Sequence, residues 1–255
     1  MAISNKDEYY TVFDPQNYLE TYCQLDSENK QGLRFLVEVL HRFPKNELLI
    51  LEFGGGPALY PVAAEAPYAR EVHFCDYVPA NLDEVRRWLD GDENAFDWQR
   101  HIEYVLKLEG NPTDFKAATQ RATEMRQKVT RLMLCDACSA TPLLGRETGP
   151  YDLVVARDCT DVAAANVSEW MQVMRNISVL VTPGGWLLVT VTTGASKDTF
   201  DDQTSFPCAN LSREDVYNGY LAAGYDPDTF YFEEITLPAS IEYSGAIFAI
   251  ARKTS

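Results

Sequence analysis

At 255 residues the chain is at the upper end of what one α/β domain needs and short for two full domains. Hydrophobic residues make up 46% of it, with 14 Tyr and 12 Phe, enough to bury a large core. Lys plus Arg is 22 and Asp plus Glu is 38, so the net charge is 22 − 38 = −16, which repels phosphate backbones and argues against a nucleic-acid substrate. The same charge suits small neutral or cationic acceptors, and equally a solubilising surface. Met1 to Tyr10 is polar and charged, unlike a secretory signal. No run approaches the roughly 18 apolar residues of a membrane span. Cys23, Cys75, Cys135, Cys138, Cys159 and Cys208 read as reduced cytoplasmic thiols. Cys135-Asp136-Ala137-Cys138 has C-x-x-C spacing but no second pair, and His41, His73 and His101 are scattered, so no metal site is expected.

Tyrosines crowd residues 8 to 22 and precede a helix-like stretch from Gly32 to Arg42. Residues 1–46 are read as an N-terminal helical cap and 47–255 as one α/β unit. From Glu47 onward apolar runs alternate with helix-period segments, the pattern of a doubly wound, mostly parallel sheet. Leu48 to Leu51 is a buried strand running into Glu52-Phe53-Gly54-Gly55-Gly56-Pro57, a glycine turn with Pro57 expected at the first helical position. Glu71 to Asp76 is the second strand, and Asn81 to Leu89 has helical spacing. Ile102 to Leu106 and Arg131 to Leu134 read as short strands around a polar helix from Thr113 to Lys128. Tyr151 to Ala156 is another buried strand. The stripe Trp170, Val173, Met174, Ile177, Leu180 makes a helix that Pro183-Gly184-Gly185 should end. Trp186 to Val191 returns as a strand, Ser212 to Asp215 resembles a capping box, and Gly224 should close that helix. Phe230 to Leu237 and Ala246 to Ala251 complete the sheet.

Ligands of open α/β sheets sit beyond the carboxyl ends of the strands, and three features fall at such ends. Gly54, Gly55 and Gly56 allow close backbone approach and positive φ. Asp76, 20 residues after Gly56, can accept hydrogen bonds from both ribose hydroxyls. Asp136 can accept from an exocyclic adenine amine, with Ala137 offering a backbone contact. Taken singly, each is as readily a tight turn or a helix cap; in register they point to an adenosyl ligand. Glu52 suits a sulfonium and an ammonium but opposes a pyrophosphate, and Pro57 removes an N–H that a pyrophosphate turn needs, so S-adenosylmethionine is favoured over NAD.

These residues resemble the small-molecule methyltransferase family of nicotinamide, phenylethanolamine, indolethylamine and thioether methyltransferases. The matching stretches run in order along the chain: Phe13 to Glu20, Glu52 to Tyr60, Asp76-Tyr77 with Asn81, Ala95-Phe96-Asp97-Trp98, Leu108-Glu109-Gly110, Cys135-Asp136, Cys159-Thr160-Asp161, Pro183-Gly184-Gly185 and Ala251-Arg252-Lys253. The resemblance implies a seven-stranded class I methyltransferase sheet under the helical cap. It also implies a cofactor site of Tyr18, Gly54, Gly55, Gly56, Tyr60, Asp76, Tyr77, Asn81, Asp136 and Ala137, with S-adenosyl-L-homocysteine as product. Tyr18 and Tyr60 also read as ordinary core aromatics.

The acceptor side departs from the family pattern. Val191 stands where the nicotinamide enzyme has an Asp that grips the carboxamide, and Arg157-Asp158 replaces a small or hydroxyl residue and an apolar one. That pair is either an edge for a polar acceptor or an internal ion pair at the surface. Cys23 replaces an aromatic and Ala58 a hydroxyl residue. Asp161 matches the acid that anchors the amine in the phenylethanolamine branch; it either orients the acceptor nitrogen, with Tyr18 and Tyr22 as walls, or caps the next helix. The expectation is a cytoplasmic, monomeric N-methyltransferase of a small molecule, without nucleic-acid or membrane partners. An O- or S-methyltransferase, or a non-catalytic cofactor-binding paralogue, stands as the alternative.

Overall fold

The computed structural model describes residues 11–145, 149–199, 205–237 and 243–255. Its strands form a seven-stranded sheet in the order β3-β2-β1-β4-β5-β9-β8, with an additional two-stranded hairpin. The described chain packs as two compact units, residues 14–133 and residues 134–255, the latter with residues 11–13.

In the first unit, helix α1 (Pro15–Tyr22) starts because Asp14 accepts from the amides of Gln16 and Asn17 and Pro15 takes a position that needs no donor. Helix α2 (Ser27–Leu40) is capped by Asp26 and buries Leu33, Leu36, Val37 and Leu40 at helical spacing. Strand β1 (Leu48–Phe53) pairs in parallel with β2 (Ala69–Asp76), and a single buried turn of helix, α3 (Val62–Glu65), lies between them in sequence. Helices α4 (Pro79–Leu89), α5 (Gln99–Leu108) and α6 (Phe115–Lys128) follow, and β3 (Val129–Leu134) closes the unit.

In the second unit, β4 (Tyr151–Arg157) leads through helix α7 (Val167–Ser178) to the parallel strand β5 (Val181–Thr193). A hairpin of β6 (Lys197–Thr199) and β7 (Ser205–Pro207) precedes α8 (Arg213–Ala222), whose N-terminus is a full Ser212–Asp215 capping box. Gly224, at φ +85°, follows that helix as expected. Strands β8 (Tyr231–Thr236) and β9 (Gly245–Arg252) add antiparallel to β5. Gly219 of α8 lets the two helices nest: a Cβ there would lie 2.3 Å from the Trp170 ring.

Three expectations are corrected. Ile102–Leu106 is not a strand but part of α5, because the buried positions His101, Ile102, Val105 and Leu106 follow a helical period and Asp97 accepts from the Gln99 amide at its start. Pro57 does not open a helix; it sits in a turn, and helix begins only after Pro61. Pro183-Gly184-Gly185 does not end α7, which stops at Ser178, but lies within β5 as an irregularity in its pairing to β4.

Candidate functional site

The end of β1 in the first unit turns on glycines with positive φ, +66° at Gly54 and +61° at Gly56. The amides of Gly54 and Gly55 both donate to the Cys75 carbonyl, at 2.9 and 3.2 Å, so the turn is fastened to the end of β2. Gly55 has no room for a side chain: a Cβ would lie 2.4 Å from the Phe74 ring. Gly56 is open, its nearest neighbour being the Tyr18 ring at 3.9 Å from a built Cβ.

Asp76 is buried at the end of β2 and is tied to that turn. Its Oδ2 accepts from the Gly56 amide at 2.8 Å, and its Oδ1 accepts from the Val78 amide at 2.8 Å and Asn81 Nδ2 at 2.9 Å. Burial pushes its pKa up, against these donors, which favour the carboxylate. Asn81 is 2% exposed, and its Oδ1 has no donor among the described residues. Glu52 is buried and Tyr77 half-buried beside these groups in sequence. Tyr60 is buried, its ring stacked on His101 at 5.2 Å, and its hydroxyl donates to Asn29 Oδ1 at 2.7 Å. Tyr22 is 46% exposed and lies 5.2 Å from Tyr18, ring to ring.

In the second unit, Asp136 follows β3 and accepts from the Cys138 amide at 2.8 Å, shaping its own turn. The carbonyl of Ala137 is held by Asn176 Nδ2 at 2.9 Å. After β4 the loop carries Arg157, Asp158 and Asp161. Asp158 adopts φ +51°, a left-handed conformation uncommon for a non-glycine residue. Its amide and its Oδ1 both meet Thr190, the amide donating to Thr190 Oγ1 at 3.0 Å and the same Oγ1 donating its proton to Oδ1 at 2.6 Å. Arg157 Nη2 lies 3.6 Å from Asp158 Oδ2, with the Arg157 side chain 7% and the Asp158 side chain 35% exposed.

Asp161 is fully buried. Thr192 donates to its Oδ2 from both the amide, at 2.9 Å, and Oγ1, at 2.8 Å, while Oδ1 has no donor among the described residues. Burial, aided by the negative charge of Asp158, pushes its pKa up to about 6. The loop is fixed from both sides, by Trp170 Nε1 donating to Thr160 Oγ1 at 3.0 Å and by the Ala209 amide donating to the Asp161 carbonyl at 3.0 Å. Asp161 does not cap α7; Asn166 does, accepting from the Glu169 amide. Thr190, Thr192 and Asn29 escape a reading by motif. Their signal is faint: two hydroxyl residues two apart near a strand end, and one polar residue inside an amphipathic helix.

The model of the NNMT/PNMT/TEMT family matches residues 2–254. The chain belongs to that family. It is 29% identical to rabbit (Oryctolagus cuniculus) indolethylamine N-methyltransferase, over 97% of this chain and 95% of that one. It is also 29% identical to human nicotinamide N-methyltransferase, over 100% and 98%. The crystal structure of magnesium protoporphyrin IX methyltransferase from Synechocystis with bound SAH superposes with a TM-score of 0.55 at 12% identity, covering 97% of each chain. This member of the NNMT/PNMT/TEMT family is therefore a methyltransferase of the class I fold that uses S-adenosylmethionine. Among the described residues no helix is long and apolar enough to cross a membrane.

Proposed function

We propose that this methyltransferase acts on the nitrogen of a small basic amine, and that Asp161 orients that nitrogen and takes its proton. The observation that carries the reading is the asymmetry of Asp161: one carboxylate oxygen is anchored twice by Thr192, and the other is buried with no donor among the described residues. An ammonium supplies the missing donor. Unlike a pyridine nitrogen, it must also lose a proton before its lone pair can attack. A carboxyl with a pKa near 6 is ionised at neutral pH and is a stronger base than an ordinary aspartate. Val191 and the absence of an Asp at that position weigh against a carboxamide acceptor.

The residues of the first unit fit S-adenosylmethionine, which when bound supplies an electrophilic methyl group on a sulfonium. Asn81 Oδ1 is a buried acceptor awaiting a hydroxyl proton, and Asp76, with its oxygens fixed by three donors, is preorganised to accept from ribose. Gly54, Gly55 and Gly56 let the ligand approach the backbone; Tyr18, Tyr60 and Tyr77 add aromatic surface, and Glu52 adds negative charge. Asp136 accepts from the adenine amine, and Ala137, whose carbonyl is taken, offers its N–H. Arg157 and Asp158 belong to the acceptor side. Alignment of the reactants accounts for roughly 7–11 kcal/mol of barrier lowering in such transfers. A cytoplasmic monomer completes the reading, its six free cysteines fitting a reducing compartment.

Transfer of labelled methyl from S-adenosylmethionine to a panel of arylalkylamines, indolethylamines, pyridine carboxamides, thioethers and phenols tests the acceptor. Label on the amines and not on the carboxamides supports the reading. Label confined to pyridines, sulfur or oxygen overturns it.

A further inference from the structure

Asn29 lies in the first turn of α2, is 8% exposed, and uses every polar atom of its side chain. Nδ2 donates to the carbonyl of Tyr22 at 2.8 Å and to that of Gln24 at 2.7 Å, and Oδ1 accepts from the Tyr60 hydroxyl at 2.7 Å. Tyr22 is the last residue of α1, so the first bond takes hold of a carbonyl that a helix end leaves without an intrahelical partner, and the second reaches the Gln24 carbonyl just past the C-cap, which also accepts from the Asp26 amide at 2.8 Å. The carbonyl of Cys23, between them, faces His101, which stacks on Tyr60. The other end of the bridge is rigid: the Tyr60 ring is also 5.8 Å from that of Trp98, which is 1% exposed. One turn earlier in α1, the Tyr18 ring lies 3.9 Å from the place a Cβ on Gly56 would take.

We propose that Asn29 and Tyr60 form a latch that holds the C-terminal end of α1, and so sets the position of Tyr18 at the glycine turn. Nothing in the family match assigns a role to Asn29. The Tyr60 hydroxyl gives its proton to Asn29, so Tyr60 reaches α1 through that bond. Asn29 is thus a positioning residue. The consequence for binding rests on the reading that Tyr18 contacts the cofactor; the mechanical part, that the latch orders α1, does not.

The test compares Tyr60→Phe, Asn29→Leu, the double variant and Tyr18→Ala in full-length protein. It measures S-adenosylhomocysteine affinity by calorimetry, kcat at saturating cofactor, and hydrogen exchange of the α1 amides. The latch predicts that Tyr60→Phe and Asn29→Leu each weaken binding about tenfold and speed exchange in α1, and that the double variant is no weaker than the worse single. It also predicts that kcat changes less than affinity. Weakened binding in Tyr60→Phe with unchanged binding and exchange in Asn29→Leu would mean that Tyr60 touches the ligand directly, and would overturn the latch. Effects that multiply in the double variant, to about a hundredfold, would overturn it as well. If Asn29→Leu fails to fold, Tyr60→Phe alone decides: unchanged α1 exchange ends the proposal. Faster α1 exchange with normal binding in Tyr18→Ala would leave the latch standing and remove Tyr18 from the cofactor site.

Discussion

Each unit holds a buried carboxylate after a parallel strand, Asp76 at the end of β2 and Asp161 in the loop beyond β4, and the two are treated in opposite ways. Asp76 in residues 14–133 receives donors on both oxygens, two amides and an amide side chain. Asp161 in residues 134–255 receives both of its donors on one oxygen, and the second oxygen has none among the described residues. A fully engaged carboxylate is part of a frame, since its geometry is set before any ligand arrives. A half-engaged one carries an unmet demand, for burial without a partner costs free energy that only a donor or a proton can relieve. The frame suits the ligand that every turnover shares, and the unmet demand suits a group that must accept and release a proton.

Asp161→Asn should give the largest effect. With an amine acceptor, kcat/KM is expected to fall by about 10²–10³ while cofactor affinity stays within about threefold. The same variant should gain stability at pH 8. Because the folded carboxyl has its pKa raised to about 6, the folded state binds protons more tightly than the unfolded chain below that value. Stability therefore drops as pH rises from about 4 to 6, by about 3 kcal/mol at most, and the Asn variant lacks this loss. Urea unfolding at pH 4.5 and pH 8 reads it. A variant that is inactive and also less stable at pH 8 would contradict the idea of a carboxylate kept at a cost.

Asp76→Ala should weaken cofactor binding by about a hundredfold, measured by calorimetry, because it removes a charged acceptor together with the anchor of the Gly56 turn. A loss of less than fivefold would collapse the comparison, leaving Asp76 as a structural cap.

The first unit should respond to acid in the opposite sense. His101 is buried, and desolvation outweighs the pull of the nearby Cys23 carbonyl, bringing its pKa down to about 4 from 6.5. The unfolded chain then binds the proton more readily between those values, so this contribution to stability is complete above pH 6.5 and is lost as pH falls toward 4. About 2 kcal/mol should vanish between pH 6.5 and 5. His101→Phe, which keeps the stacking on Tyr60 and Trp98, should flatten the slope.

The smallest contrast lies within the glycine turn. Gly55→Ala forces a methyl into the Phe74 ring and should cost about 1–3 kcal/mol, whereas Gly56→Ala meets only ordinary contact with the Tyr18 ring and should cost about 1 kcal/mol, from its positive φ. Equal losses in thermal unfolding would show that the turn relaxes more freely than its bonds to Cys75 suggest.

Elements whose burial pattern is uniform were legible from sequence. Leu48 to Phe53 is buried almost throughout and announces a central strand, and the Trp170 to Ile177 stripe marks one helix face. Ile102-Glu103-Tyr104-Val105-Leu106 misleads because its residues favour strands and alternate loosely, while the helical pairing of His101 with Val105 depends on packing. In the site, Asp76, Asp161 and the glycines stand out because few other residue types can do their work. Their supports do not. Thr190 and Thr192 look like ordinary strand residues, and the Asn29 bridge to Tyr60 spans 31 positions that only folding brings together.

The irregularity at Pro183-Gly184-Gly185 has a consequence at the opposite end of its strand. Between Tyr151↔Val181 and Leu153↔Trp186, two steps along β4 are matched by five along β5, and from Trp186 the pairing runs evenly to Arg157↔Thr190. The surplus is held in place by Lys253 and Arg252, which bond the backbone of Gly184 and Gly185. Side chains alternate along a strand, so a segment one residue longer there, passed on into β5, would carry Val189 and Val191 to the places of Thr190 and Thr192. Asp158 and Asp161 would then face methyl groups in place of hydroxyls. The loop thus works as a phase setting for β5, and a change of length there would reach the chemistry without altering any residue of the site.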